Sequence, residues 1–191
     1  MKLADFGFTD GINEVIAITE NEDGSLNTAP IGIIVDDSNS ILAKVRLYRS
    51  HTRSNIQRTG TVFVNVIWDA VIFSLAAFDD LGVEFFETLQ PPVLKNSLVW
   101  CEFEAEFKGA YANLKLVNGG VLKKNIRAVN RGFNAVIESL VHATRYIVMR
   151  DEDKRRWLKE KIYYYHQIAM KCGGEGERRA FEIIFKKIGL K

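Results

Sequence analysis

With 191 residues, 47% of them apolar and 26% charged, the chain has the make-up of a globular protein with one sizeable core or two small ones. A net charge of +2 gives no global field for nucleic acid, and no apolar run is long enough to span a bilayer. The two cysteines, Cys101 and Cys172, lie far apart without metal-ligand spacing, which argues against a disulfide framework or a metal site. The opening MKLADFGF lacks the charged-then-apolar order of a signal peptide, so the expectation is a soluble cytoplasmic protein.

Asn13 to Thr19 is apolar and β-branched, the pattern of a buried strand. Asp23-Gly24 then signals a hairpin turn. Asn27-Thr28-Ala29-Pro30 leads into the run Ile31 to Val35. Pro30 has no N–H for a ladder, so a strand start, an edge or a bulge is expected there. A bulge would leave the backbone of Thr28 to Ile31 facing a ligand; an irregular strand entry is the plainer alternative. Ile41 to Tyr48 alternates, with Leu42, Lys44, Arg46 and Tyr48 sharing one face.

The stretch Arg46 to Asn65 is the most informative. Ser50, His51, Thr52, Arg53, Ser54 and Asn55 form a polar corner, and a Ser or Thr there can cap a short helix that Gly60 closes. Helix-start N–H groups, hydroxyls and the nearby Arg46, Arg49 and Arg53 make an anion site; a plain helix cap with solvated arginines fits the same residues. In the following strand, Thr61 to Ile67, Asn65 is an amide in an apolar setting and needs partners.

Asp69 can cap a helix through Phe78, and Glu84 to Leu89 reads as a further helical turn before Pro91-Pro92. In Leu98 to Gly109, apolar residues alternate with Glu102, Glu104 and Glu106, which strand rise spaces about 6–7 Å apart. A solvated acidic face is the expectation, with Lys115 of the returning strand Tyr111 to Val117 as a partner. Asn118-Gly119-Gly120 should end that strand. Six or seven strands with one or two helices fit a small barrel better than a parallel sheet.

Beyond Gly120 the pattern becomes helical, with a boundary near Lys123-Lys124-Asn125. Asn130 can cap a helix to about Met149, with Phe133, Val136, Ile137, Leu140, Val141, Thr144, Ile147 and Val148 on its apolar face. Glu138, His142 and Arg145 form another stripe, expected as an exposed ion-pair ladder. Asp151 to Ala169 and Glu177 to Ile188 give two more helices. Lys154, Arg155, Arg156, Lys159 and Lys161 interleave with Asp151, Glu152, Asp153 and Glu160, which reads as a solvated surface rather than a nucleic-acid patch.

The segments NEDGSLNTAPIGI, RLYRSHTRSNIQRTGTVFVNV and FNAVIESLVHATRY together resemble an archaeal family of uncharacterised proteins with a flavin-reductase-like split barrel and a C-terminal helical domain. The first two elements recur across flavin-binding split barrels; the helix segment looks particular to the archaeal family. The resemblance implies an α+β fold: an antiparallel split β-barrel over residues 1–122 and a three-helix region over 123–191. It implies FMN, held without a covalent bond at a homodimer interface. Thr28, Ala29, Pro30 and Ile31 would line the isoalloxazine through backbone groups, with Asn27 also in the cofactor site. Arg46 and Tyr48 would flank the ring or ribityl chain. Ser50, Thr52 and Asn55 would hold the phosphate, with a contact from His51, and Asn65 would support the site. The expected function is an FMN-dependent oxidoreductase or flavin reductase acting with an unidentified small-molecule donor or acceptor. The alternative is a non-catalytic module: a flavin store or sensor, or helices that contact a partner or nucleic acid. No side chain stands out as acid, base or nucleophile, so no catalytic residue is assigned.

Overall fold

A computed structural model of the chain describes residues 1–124 and 127–190. Asn125, in the expected boundary, lies outside the described residues. The contacts divide the chain into two units, Met1–Trp68 with Asp80–Asn125 and Asp69–Asp79 with Ile126–Lys191.

The first unit is a closed antiparallel barrel built from β1 (Gly11–Glu20), β2 (Leu26–Val35), β3 (Leu42–Arg46), β4 (Thr61–Val66), β7 (Val99–Lys108) and β8 (Tyr111–Val121). Around the barrel they run β1-β2-β3-β8-β7-β4. The two-residue period of each strand drives this arrangement: Val15, Ala17, Val62, Val64, Cys101 and Phe103 point inward and are almost fully buried. A helix α1 (His51–Thr59) links β3 to β4 and ends at Gly60, whose φ of +68° is the left-handed conformation expected at a helix stop.

β2 pairs with β1 over its full length without a register shift, so the bulge considered at Pro30 is absent. The amide of Thr28 points away from β1 and donates to Asp80 Oδ1 at 2.8 Å. Pro30, two residues on, presents its nitrogen to that same outer edge, so its missing N–H costs the β1–β2 ladder nothing. Toward β3, however, β2 pairs only at Ile33–Val45 and Ile34–Lys44. The Leu26–Gly32 half of β2 therefore leaves one backbone edge without a partner strand.

Two other local expectations change. Val83–Phe85 is a short 3-10 turn, but Phe86–Leu89 is a strand (β5) paired with β6 (Pro92–Leu94), not a helix. Asn65 explains the difference: from the outer face of β4 its amide donates to the carbonyl of Pro92 (3.1 Å) and accepts from the amide of Leu94 (2.7 Å) and the hydroxyl of Ser97 (2.8 Å). This long-range clamp fixes the hairpin in extended form. Likewise β8 does not stop at Asn118-Gly119-Gly120. It continues to Val121, with a register shift opposite Glu102/Phe103. A side chain at Gly119 would sit 2.8 Å from the Phe6 ring and 2.9 Å from the Trp100 carbonyl, so glycine permits close packing here rather than ending the strand.

The second unit gathers α2 (Ala70–Ala76), α3 (Arg131–Val148), α4 (Glu152–Cys172) and α5 (Glu175–Ile188). α3 packs on α4 and α5, and α2 packs on α5 and α3. Chain order alone does not reveal that α2, inserted between β4 and the hairpin, groups with the C-terminal helices. The buried stripe of α3 is Phe133, Val136, Leu140, Ala143 and Tyr146, whereas Ile147 and Val148 are exposed. The apolar face is thus rotated from the expected one, because small residues also face the neighbours. Gly132 is the extreme: a Cβ there would lie 2.4 Å from Gly173 Cα, so the start of α3 and the end of α4 touch backbone to backbone. No helix among the described residues is long and apolar enough to cross a membrane.

Candidate functional site

The polar corner at the start of α1 forms from local chemistry. Ser50 has extended backbone, and its Oγ accepts from the amide of Arg53 (3.2 Å), the arrangement of a helix N-cap. Its hydroxyl lies 3.3 Å from the Tyr48 carbonyl, to which it donates. The amide of Ser54 donates to the Ser50 carbonyl at 3.1 Å. That leaves the amides of His51 and Thr52, the first two of the helix, without an acceptor among the described residues. Such amides carry the positive end of the helix dipole.

The cations divide into two kinds. Arg53 is structural: its guanidinium donates to the carbonyls of Leu47 (2.9 Å) and Gly109 (3.2 Å) and lies over the Phe107 ring. Arg46, Arg49 and His51 are exposed at the corner. The Arg46 guanidinium sits 5.3 Å from the centre of the Tyr48 ring, and Tyr48 is 67% exposed. Across the β3–β8 ladder, Arg46 stands opposite Tyr111.

Thr52 and Asn55 sit on the buried side of the helix. Asn27 Nδ2 donates to Thr52 Oγ1 (2.9 Å) and Thr19 Oγ1 (3.0 Å). Asn55 Nδ2 donates to the same Thr19 oxygen (3.1 Å) and to Asn21 Oδ1 (2.7 Å). Arg58 adds a bond to the carbonyl of Glu20. This network ties α1 to the β1–β2 hairpin, and it sets the height at which the free amides of His51 and Thr52 stand above β2. Thr19 and Asn21 are members that the sequence reading did not single out; two polar residues at a strand end, facing a polar helix, were the available signal.

The remaining candidates on β2 offer backbone rather than side chains. Ile31 points into the barrel core, Asn27 is taken by the network, and Thr28 holds Asp80 through its amide and the amide of Leu81 through its hydroxyl (2.9 Å). Ala29 and Pro30 are half-buried. Asp80 lies 52 residues from Thr28 and has no local signature. Asn65, as described above, is engaged by the β5–β6 hairpin.

Elsewhere, Lys115 pairs with Glu104 at 3.3 Å, as expected for a solvated acidic face. On α4, Lys154 pairs with Asp151 (3.9 Å) and Arg156 with Asp153 (3.5 Å), while Lys159 and Lys161 lie over the rings of Tyr163 and Trp157. The ladder expected from Glu138, His142 and Arg145 does not form among the described residues. His142 instead stacks on Tyr165 (ring centres 5.8 Å apart) and meets the edge of Trp157 (5.5 Å), with its Nδ1 buried and unpaired. Burial holds its pKa below the usual histidine range; Arg145 and Lys161 push the same way, and Glu138 opposes. Burial pushes the Cys101 thiol up to about 12, which removes it as a nucleophile.

The corner therefore presents two free helix amides, a capping hydroxyl and two exposed arginines, beside an open strand edge. That donor set fits a phosphate group.

The chain resembles known proteins over nearly its whole length. Residues 13–127 match the family described as "Protein of unknown function (DUF447) N-terminal domain", and residues 130–186 match "Protein of unknown function (DUF447)". An FMN-bound protein of this family from Methanosarcina mazei superposes with a TM-score of 0.82 at 35% identity, covering 97% of this chain and 99% of that one. Remoter likenesses include the styrene monooxygenase flavin reductase of Pseudomonas putida S12 (TM-score 0.46, 18% identity, 63% of this chain and 86% of that one). Another is a putative flavin reductase with a split barrel domain from Shewanella frigidimarina (TM-score 0.47, 17% identity, 64% and 75%).

Proposed function

The chain belongs to the DUF447 family, and from that premise we propose that it binds FMN at the Ser50 corner and acts as a flavin-dependent oxidoreductase or flavin reductase. The observation that carries the reading is the pair of unpartnered amides of His51 and Thr52, beside the Ser50 cap and the exposed Arg46 and Arg49. The FMN bound by the Methanosarcina relative supports it.

In this reading the phosphate accepts from the amides of His51 and Thr52 and from the Ser50 hydroxyl, which gives up its bond to the Tyr48 carbonyl. Arg46 and Arg49 neutralise its charge. Thr52 and Asn55 contribute through position: their side chains hold the helix, and the backbone meets the ligand. The isoalloxazine lies along Asn27 to Ile31, where β2 has no partner strand on its outer edge, with Tyr48 beside it. When bound, the flavin supplies hydride or electron transfer, and the protein supplies orientation and charge. A homodimer completes the site: Tyr48 and Tyr111 near the corner and Leu42 at the far end of β3, all substantially exposed, form the apolar part of the interface. We place the protein in the cytoplasm of an archaeon.

The test is direct. Full-length protein purified without added flavin should be yellow and release FMN on denaturation. Ser50→Ala should lower FMN affinity by about tenfold or more, since one hydrogen bond to a charged group contributes about 1.5–3 kcal/mol. Colourless protein that takes up no added FMN would sink the proposal. A flavin store or sensor is separated from an enzyme by turnover: an enzyme oxidises NADH, NADPH or a reduced deazaflavin repeatedly, and a store does so once.

A further inference from the structure

The barrel unit contains a second recess that the flavin reading does not use. Between the outer face of β1, β4 and β7 and the segment carrying the β5–β6 hairpin lies a cleft of about 950 Å³. That is near the top of the range for small-molecule sites. Its walls are apolar and aromatic, formed chiefly by Ile18, Phe63, Phe86 and Trp100. Three carboxylates also line it, Glu20, Asp80 and Glu102, and among the described residues no lysine, arginine or histidine does.

The carboxylates lack cationic partners. None of the three forms an ion pair within 4.0 Å among the described residues. Arg58, the cation that comes near, bonds the carbonyl of Glu20 rather than its carboxylate. Asp80 engages the Thr28 amide through one oxygen. On the acidic strand β7, Glu104 pairs with Lys115, while Glu102, two residues away and in the cleft, has no ion-pair partner among the described residues.

An aromatic-walled recess with unpaired carboxylates is chemically suited to one class of occupant. We propose that the cleft binds an organic ammonium ion, a primary amine on an aromatic or alkyl body. The body packs against Phe63, Phe86 and Trp100, the charge pairs with Glu102 and its companions, and the indole face adds attraction for the cation. The same carboxylates repel anions. They disfavour a nicotinamide dinucleotide, with its pyrophosphate, in this cleft. The proposal stands whether or not the flavin reading holds. If both hold, the two sites meet at Thr28, which lies on the strand facing the flavin and bonds Asp80 and Leu81 of the cleft wall.

The experiment is isothermal titration of the full-length protein at low salt with phenethylamine and with the shape-matched anion 3-phenylpropanoate. The amine should bind at least about tenfold more tightly than the anion, and Glu102→Gln should reduce amine affinity by about tenfold, a difference of about 1.4 kcal/mol. Glu20→Gln, at an exposed strand end, is the second variant and should weaken the amine in the same direction. Equal binding of amine and anion, no binding of the amine, or amine affinity unchanged in both variants would overturn the proposal. FMN content measured on the same samples reports the flavin reading separately.

Discussion

Asn55 separates a residue that touches the ligand from one that holds the scaffold. Its amide nitrogen donates to Asn21 Oδ1 at 2.7 Å and to Thr19 Oγ1 at 3.1 Å, and Asn55 is only 5% exposed. Asn55→Ala deletes both bonds and leaves the part-buried Asn21 acceptor without its donor. Two hydrogen bonds contribute about 1–3 kcal/mol net, and an orphaned acceptor adds about 1 kcal/mol or more. The expected loss of stability is therefore about 2–4 kcal/mol. Urea unfolding of flavin-stripped protein measures it without the stabilisation that bound ligand adds. Asn21→Ala and the double variant complete a cycle, in which the coupling should be about 1 kcal/mol or more. FMN affinity should fall more than riboflavin affinity, but only together with that loss of stability, because the variant displaces the helix whose amides meet the phosphate. An Asn55→Ala protein as stable as the parent, but selectively weak for FMN, would refute the scaffold assignment and make Asn55 a phosphate ligand.

Two further perturbations probe the helical unit. Gly132→Ala places a Cβ against the backbone of Gly173 and should destabilise by about 1–3 kcal/mol, whereas Gly176→Ala, in open space in the first turn of α5, should stabilise by up to about 1 kcal/mol; thermal unfolding of the two variants should move in opposite directions. His142 and His166 both have pKa values lowered in the folded state, by burial foremost. The unfolded chain then binds more protons, so the stability they contribute is complete above the ordinary histidine pKa of about 6.5 and is lost as pH falls from there toward the folded values. His142→Phe should flatten that acid-side loss, read from unfolding midpoints between about pH 5 and 7.5.

Much of the barrel was legible because its cause is local. Alternation in Ile41 to Tyr48, Thr61 to Ile67 and Leu98 to Gly109 is a two-residue period, and that period decides which residues enter the core. The Ser50 cap and the Gly60 stop were legible for the same reason. What sequence could not supply were the partners of polar groups across long separations. Thr52 and Asn55 carry the right chemistry for phosphate, and the long-range bonds that Thr52 Oγ1 accepts from Asn27 and that Asn55 Nδ2 donates to Thr19 and Asn21 could not be read from the chain. Asn65 was recognised as an amide in need of partners, and those partners, near Pro92 and Ser97, convert an expected helical turn into a hairpin. His142 shared a stripe with two charged residues on α3, yet aromatic rings from α4 decide its environment. α2 joined the helical unit through packing on α5, which no pattern within its seven residues encodes.

The central claim is that the corner at Ser50 recognises a phosphate. The most direct test is the affinity of flavin-stripped protein for FMN against riboflavin, ligands that differ by that group alone. Two free amides, a hydroxyl and two arginines should favour FMN by about 100-fold or more, equivalent to about 2.7 kcal/mol. The gap should narrow in Ser50→Ala and as salt rises. Equal affinity for the two ligands at low salt would contradict the account.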